Sequence, residues 1–144
     1  MTFFLSCEAY SSGATLLMRY HNLTEYRLKA LLECSYGQEL THISLITIMM
    51  PKEFYEDGGW KERTLFQKKS HSADLRLRLN YQEFLCATPE RRAILYCNHI
   101  LKSLEALRRK VSRDYQFDAL LHDVQTHLSD PTFLAELHSI RRIP

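Results

Sequence analysis

Two aspartates and two histidines near the C-terminal end are the densest group of side chains that could carry chemistry: Asp118, His122, Asp123 and His127. On a helix, Asp118 would meet His122 and Asp123 would meet His127, because residues four apart share a face. Their spacing matches no zinc-ligand pattern such as HExxH. A solvated helix face with acid–imidazole pairs explains them better, so we predict no metal and no cofactor.

Nucleophilic catalysis finds little support in the sequence. Cys97 and His99 stand two residues apart in a helical stretch, where side chains at that spacing diverge. There is no GxSxG, and the four glycines form no phosphate-binding GxxxxGK[ST] or GxGxxG motif. The sequence therefore indicates no catalytic group, and we predict a protein that is not an enzyme.

Most lysines and arginines lie between residues 61 and 113, and the net charge of +2 conceals this asymmetry. They could form one basic surface made of Lys68, Lys69, Arg76, Arg78, Arg108, Arg109, Lys110 and Arg113. Protection of a sheet edge and compensation of a helix dipole explain the same residues. No aromatic residues alternate with Arg76 and Arg78, so base stacking lacks support. A nucleic-acid-binding regulatory protein, with residues 68–78 and 108–113 as its basic face, stays the alternative function.

Aromatic and acidic residues gather in a predicted loop at residues 52–60, after Pro51 ends a strand. Aromatic side chains on an exposed loop are typical interface anchors. The rings could also fold back on the sheet, which suits Phe54 at least as well. Residues 114–140, which contain acids and no Lys or Arg, would add a second acidic element that attracts a cationic protein. The predicted protein-binding residues are Glu53, Tyr55, Glu56, Asp57, Trp60, Asp118, His122 and Asp123.

The elements that must position these residues follow from hydrophobic periodicity. Alternation predicts a strand near residues 3–10, and β-branched residues apolar on both faces predict a central strand at 40–50. Spacings of three and four predict a helix over 14–34, ended by Tyr36-Gly37. Residues 61–69 and 73–85 predict a hairpin whose second arm has alternating Leu and Arg.

Helices follow the hairpin. Thr88-Pro89-Glu90 predicts the start of a long helix that reaches Val111, and shorter helices follow at 117–128 and 133–140. The order β-α-β-β-β-α-α-α predicts an α+β fold, with an antiparallel or mixed sheet of about four strands and helices packed on it. We expect one domain spanning residues 1–144.

The composition agrees with a globular protein that stays where it is made. No apolar run approaches the 18 residues of a membrane span, and the first residues lack the basic region of a signal peptide. The four cysteines form no CxxC, which favours reduced thiols used as small hydrophobes. We therefore expect a cytoplasmic protein.

Short segments along the chain resemble, in order, those of a known family. They are residues 4–8, Arg19-Tyr20, residues 46–51, residues 73–79 with Phe84, residues 90–92, residues 98–104, and Phe117-Asp118 with Asp123. The family is immunity protein 44, of bacterial polymorphic-toxin and contact-dependent growth-inhibition systems. Cys7 departs from the family, which often has Gly at that position.

The resemblance implies an immunity protein that neutralises a cognate bacterial toxin C-terminal domain in the cytoplasm by tight binding. Such toxins are often nucleases. The resemblance assigns no interface residues. It implies instead that a group of shared polar residues forms a structural network: Arg19, Arg76, Asn98, Lys102 and Ser103.

Overall fold

The computed structural model describes residues 1–10, 12–32, 40–56, 58–111 and 115–141, with Tyr115 described by its backbone alone. These ranges contain the strands and helices β1 (Thr2–Ala9), α1 (Ser12–Leu32), β2 (His42–Met49), β3 (Arg63–Gln67), β4 (Ser72–Arg78), α2 (Tyr81–Cys86), α3 (Pro89–Arg108), α4 (Tyr115–Leu128) and α5 (Pro131–Ser139). A short 3₁₀ helix, Lys52–Tyr55, lies between β2 and β3. The predicted α+β class and element order are confirmed, with α2 as an additional short helix.

The four strands form one mixed sheet in the order β1-β2-β4-β3. Both β1 and β4 run parallel to β2, whereas β3 runs antiparallel to β4. Parallel neighbours need a crossover, and α1 supplies it between β1 and β2. The predicted hairpin is the β3–β4 pair, and its turn places His71 in the left-handed region at φ 54°.

The second hairpin arm ends earlier than predicted. The strand β4 stops at Arg78, and the helix α2 occupies positions that we assigned to the strand. Asn80 caps α2 by accepting the N–H of Glu83 at 2.9 Å. An Asn followed three residues later by Glu is a helix-start signal, and it outweighs the alternation that Leu79 and Tyr81 continue. The predicted helix end at Tyr36-Gly37 lies outside the described residues.

A buried arginine holds the connection between α2 and α3. The guanidinium of Arg92, a residue 5% exposed, donates to the carbonyl oxygens of Phe84 at 3.0 Å, Leu85 at 3.3 Å and Ala87 at 3.0 Å. These carbonyls belong to the end of α2, where helix geometry leaves oxygens without partners. Arg92 therefore determines how α2 meets the next helix.

The start of α3 is the one that the sequence predicted. Thr88 accepts the N–H of Arg91 at 3.2 Å, and Pro89 is the first helical residue. Asp130 begins α5 in the same way, accepting the N–H of Phe133 at 3.1 Å. These caps satisfy N–H groups that have no partner inside the helix.

The helices cover one face of the sheet. Both α1 and α3 pack on this inner face, and α4 and α5 pack against them. The inner face is largely apolar, and its buried residues are Phe3, Leu5, Ile43, Leu45, Thr47, Met49, Ala73, Leu75 and Leu77. The core thus lies between the sheet and one layer of helices. None of the described helices is both long enough and apolar enough to cross a lipid bilayer.

The opposite side of the sheet is here named the outer face, and the described helices α1 and α3 do not lie on it. Because side chains alternate along a strand, it carries the residues between the buried ones. It consists of Thr2, Phe4, Ser6, Glu8, His42, Ser44, Ile46, Ile48, Arg63, Leu65, Gln67, Ser72, Asp74, Arg76 and Arg78. The α-helices of the described residues therefore leave the outer face uncovered.

Candidate functional site

The predicted interface segment, residues 52–60, folds over one end of the outer face. The hydroxyl of Tyr55 donates to the carbonyl of Ile48 at 3.3 Å and accepts the N–H of Met50 at 3.2 Å. The guanidinium carbon of Arg78 lies 3.9 Å from the centre of the Tyr55 ring, a cation–π arrangement. Ile48, although on the outer face, is fully buried. Tyr55 therefore anchors the segment to the sheet.

The other two aromatic rings of the segment pack on Tyr55. Phe54 and Trp60 each make an edge-to-face contact with the Tyr55 ring. The centre of each of these two rings lies 5.1 Å from the centre of the Tyr55 ring. Phe54 is 37% exposed, and Trp60 is half-buried. Tyr55 is therefore the ring that folds back on the sheet. Phe54, which the sequence offered as a candidate for that position, stays at the surface.

The acids of this segment are at the surface. Glu53 is exposed, and exposed Glu56 lies 4.0 Å from the ammonium of Lys52. An ion pair this open to solvent contributes little to stability. Asp57 lies outside the described residues. The segment thus presents aromatic surface beside carboxylates.

The second predicted group lies on α4, in the helical layer. Asp118 bonds to the guanidinium of Arg108 on α3, and this contact raises the pKa of Arg108. His122 is exposed, and Asp123 is half-buried. A groove between α3 and α4 is lined by Asp118 and His122 together with Glu105, Arg109 and Gln125. The structure does not bring this group together with residues 52–60, which lie on the other side of the sheet.

The remaining acids of residues 114–140 also have structural partners. Glu136 of α5 pairs with Arg27 of α1, and Asp130 caps α5. Asp114 lies outside the described residues. The acidic element is therefore less available to an outside partner than its charge alone suggested.

Three arginines of the predicted basic face likewise have partners within the protein. Arg76 bonds to Glu8 at 3.1 Å, Arg78 stacks on Tyr55, and Arg108 pairs with Asp118. Lys68 and Lys69 are exposed at the β3–β4 turn. Arg113 lies outside the described residues.

The polar residues shared with the family do not form the single network that we expected. Arg19 donates to the carbonyl of Arg141 at 3.1 Å, and Lys102 lies 3.8 Å from Glu62. Ser103 donates to the carbonyl of His99 at 2.7 Å, while Asn98 is exposed. Arg76 is on the outer face, on the far side of the sheet from the helix that carries Ser103.

A different polar network lies in the core, and the sequence patterns did not reveal it. The hydroxyl oxygen of Thr47 on β2 is 3.1 Å from Nε2 of His21 on α1 and 2.9 Å from Nε2 of His99 on α3. Nδ1 of His21 is 2.8 Å from the hydroxyl of Tyr96. A signal was present, since both histidines fall on the apolar sides of their helices. A buried polar group is tolerated when it is hydrogen-bonded, as these are.

Burial decides the charge of these groups. It lowers the pKa of His21 to about 4 and that of His99 to about 3, so both rings are neutral at neutral pH. Burial also raises the pKa of Cys97 to about 11. A buried thiol held in its neutral form does not act as a nucleophile. The network of His21, Thr47, His99 and Tyr96 is therefore a neutral, hydrogen-bonded part of the core.

The described residues include no group of three or more His, Cys, Asp and Glu side chains placed to hold a metal ion. The fold defines a two-layer α+β protein in which the helices α1 and α3 cover one side of the sheet, while the segment anchored by Tyr55 lies over one end of the other. The chain belongs to the immunity protein 44 family, whose family model matches residues 1–130. No curated protein and no solved structure matches the chain.

Proposed function

We propose that this chain is an immunity protein that neutralises a cognate bacterial toxin domain by binding it, without catalysing a reaction. The family match over residues 1–130 carries this proposal. The toxin is a nuclease of a polymorphic-toxin or contact-dependent growth-inhibition system, and the two proteins meet in the cytoplasm.

The surface that best fits a toxin contact is the segment 52–60. It places exposed Phe54 and half-buried Trp60 on a base that Tyr55 holds against the sheet. Aromatic anchors that are already ordered lose little conformational freedom on binding. The neighbouring acids Glu53, Glu56 and Asp57 would attract a cationic nuclease.

The residues on α4, Asp118, His122 and Asp123, form the second part of the proposed site. Asp118 and His122 border the groove between α3 and α4, and Asp123 follows His122 on the same helix. Since this group and segment 52–60 lie on different sides of the sheet, each is tested by its own variant. Asp118 already pairs with Arg108, so a toxin cation would have to compete for it.

Coexpression tests the function itself. The C-terminal domain of the toxin encoded beside the gene of this chain is induced with and without this protein, and growth is followed. We expect growth arrest without it and growth with it, because a bound toxin domain cannot reach its substrate. Identical arrest in both cultures would refute the proposal.

Charge reversal tests the proposed site residues. We expect Glu56→Lys/Asp57→Lys to weaken binding of the purified toxin domain about tenfold, since each carboxylate removed loses attraction and each lysine adds repulsion. Asp118→Lys/Asp123→Lys tests the α4 group. The matched control is Glu83→Lys/Glu90→Lys on α2 and α3, where both residues are exposed. Circular dichroism verifies that each variant is folded, and unchanged affinity in a folded variant would exclude its group.

A further inference from the structure

Two arginines stand opposite each other on the outer face. Arg63 of β3 and Arg76 of β4 are partners in the antiparallel ladder, and both side chains are on the outer face. Like charges directly opposite in a ladder destabilise it. Arg76 is offset by Glu8 of β1, 3.1 Å away, but no ion pair of the described residues involves Arg63, which is exposed. Among the described residues, Arg63 therefore has no acid that compensates its charge, at a position where the opposite arginine is unfavourable.

Exposed apolar side chains accompany these arginines. Leu65 is 39% exposed and Phe4 is 54% exposed, at the two edges of the same row across the sheet. Ile46, in the row that contains Arg76 and Arg63, is half-buried. Ser44 and Asp74 separate Phe4 from Leu65, so the apolar surface beside the two arginines consists of Leu65 and Ile46.

The other charges leave the β3 side of this face positive. Asp74, half-buried beside Leu65, is the carboxylate of this row, while Arg78 is stacked on Tyr55. Lys61, Lys68 and Lys69 are exposed next to β3, and the exposed acid beside them, Glu62, lies 3.8 Å from the ammonium of Lys102. A partner that covers this region gains most if it brings a carboxylate.

We propose that the outer face around Arg63, Leu65 and Arg76 binds an acidic patch of the toxin domain, with an apolar side chain of the toxin covering Leu65 and Ile46. This inference rests on the proposed function and extends it to a second contact region that adjoins segment 52–60. A carboxylate placed between the two guanidiniums relieves their repulsion and accepts charge-assisted hydrogen bonds from both.

The test is a series at Arg63 with binding to the purified C-terminal domain of the neighbouring toxin measured by calorimetry. We expect affinity to fall in the order Arg63, Arg63→Lys, Arg63→Gln, Arg63→Glu, with at least a tenfold loss for the last. The matched control is Lys29→Glu, which reverses an exposed cation on α1 and should bind within twofold of the unmodified chain. Arg63→Glu places an acid opposite Arg76, so its melting temperature should not fall and lost binding cannot be attributed to unfolding.

The outcomes separate the two proposals. If the unmodified chain binds the toxin and Arg63→Glu binds within twofold of it, the outer-face inference is wrong and the proposed function stands. If the unmodified chain neither binds the toxin nor protects against it, both fail. If the unmodified chain instead binds a short DNA or RNA duplex with a steep salt dependence that Arg63→Glu abolishes, the partner is a nucleic acid and the inference is overturned.

Discussion

The imidazoles of His21 and His99 meet at one hydroxyl group, that of Thr47, which lies within hydrogen-bonding distance of both Nε2 atoms. The three residues come from α1, α3 and β2, so the network joins the two central helices to the middle of the sheet. The hydroxyl can donate only to a ring whose Nε2 is unprotonated, while it accepts the Nε2–H of the other ring, so protonation of both rings breaks the arrangement.

Acid should therefore destabilise the fold. The unfolded chain protonates these histidines near the ordinary pKa of 6.5, whereas the folded chain does so near 4 and 3. Between these values the unfolded state binds more protons, so the stabilisation is present above pH 6.5 and is lost as the pH falls. We expect the free energy of unfolding to drop by about 2 kcal/mol per histidine between pH 7 and pH 5.

Urea unfolding across this pH range measures the effect. His99→Gln should flatten the curve, because it removes one of the two shifted groups. Gln82→Ala, at an exposed residue of α2 that does not titrate, is the control and should leave the slope unchanged. A free energy of unfolding that stays constant from pH 7 to pH 5 would contradict the assignment.

Replacing the bridging hydroxyl should be costly. Thr47→Val keeps the shape of the side chain but leaves two buried imidazole nitrogens without their partner, which should cost about 2 kcal/mol. The comparison is Thr64→Val, a half-buried threonine of β3, where we expect a change below about 0.5 kcal/mol. Equal effects at the two positions would mean that the hydroxyl of Thr47 contributes little.

Two adjacent arginines of α3 should respond very differently to the same substitution. Arg92→Met leaves the carbonyls of Phe84, Leu85 and Ala87 without their donor and should cost about 3 kcal/mol. Arg91→Met removes only an exposed contact with Glu83 at 3.6 Å and should cost below about 0.5 kcal/mol. Equilibrium unfolding of both variants checks the difference, and similar midpoints would disprove the role given to Arg92.

The free edge of β1 is protected by a side chain. Oε1 of Glu25 on α1 accepts the N–H of Leu5 at 2.6 Å. Unpaired edge groups are sites for strand addition from another chain. We expect Glu25→Ala to lose about 1 kcal/mol of stability and to self-associate at high concentration, as seen by sedimentation. Glu25→Gln retains an acceptor oxygen and should stay monomeric; association of both variants would show that the charge, rather than the bond, protects the edge.

The parts of the fold that sequence patterns predicted are those determined by neighbouring residues. Thr88 and Pro89 predict the start of α3, and the alternating Leu and Arg of residues 75–78 predict a strand with one buried face. The predicted end of β4 was wrong, because Leu79 and Tyr81 continue that alternation although Asn80 caps the start of a helix. The alternation of apolar residues alone does not show that a capping residue, Asn80, ends the strand.

The candidate site was less predictable, because its character depends on contacts between distant parts of the chain. The acids of residues 114–140 suggested a free negative surface, yet Arg27 and Arg108 come from other helices to meet Glu136 and Asp118. The pairing of Arg63 with Arg76 likewise depends on the register of the hairpin. A shift by one residue would have placed one of them on the opposite face.

The one-sided sheet has a consequence for how this protein can change over generations. Apart from Ile48, the residues of the outer face take no part in the buried core. Substitutions there would alter the surface that we propose recognises the toxin, while the α1–α3 layer continues to provide the core. Under that proposal, the architecture separates recognition positions from core positions, so that recognition could follow a changing partner without a new fold.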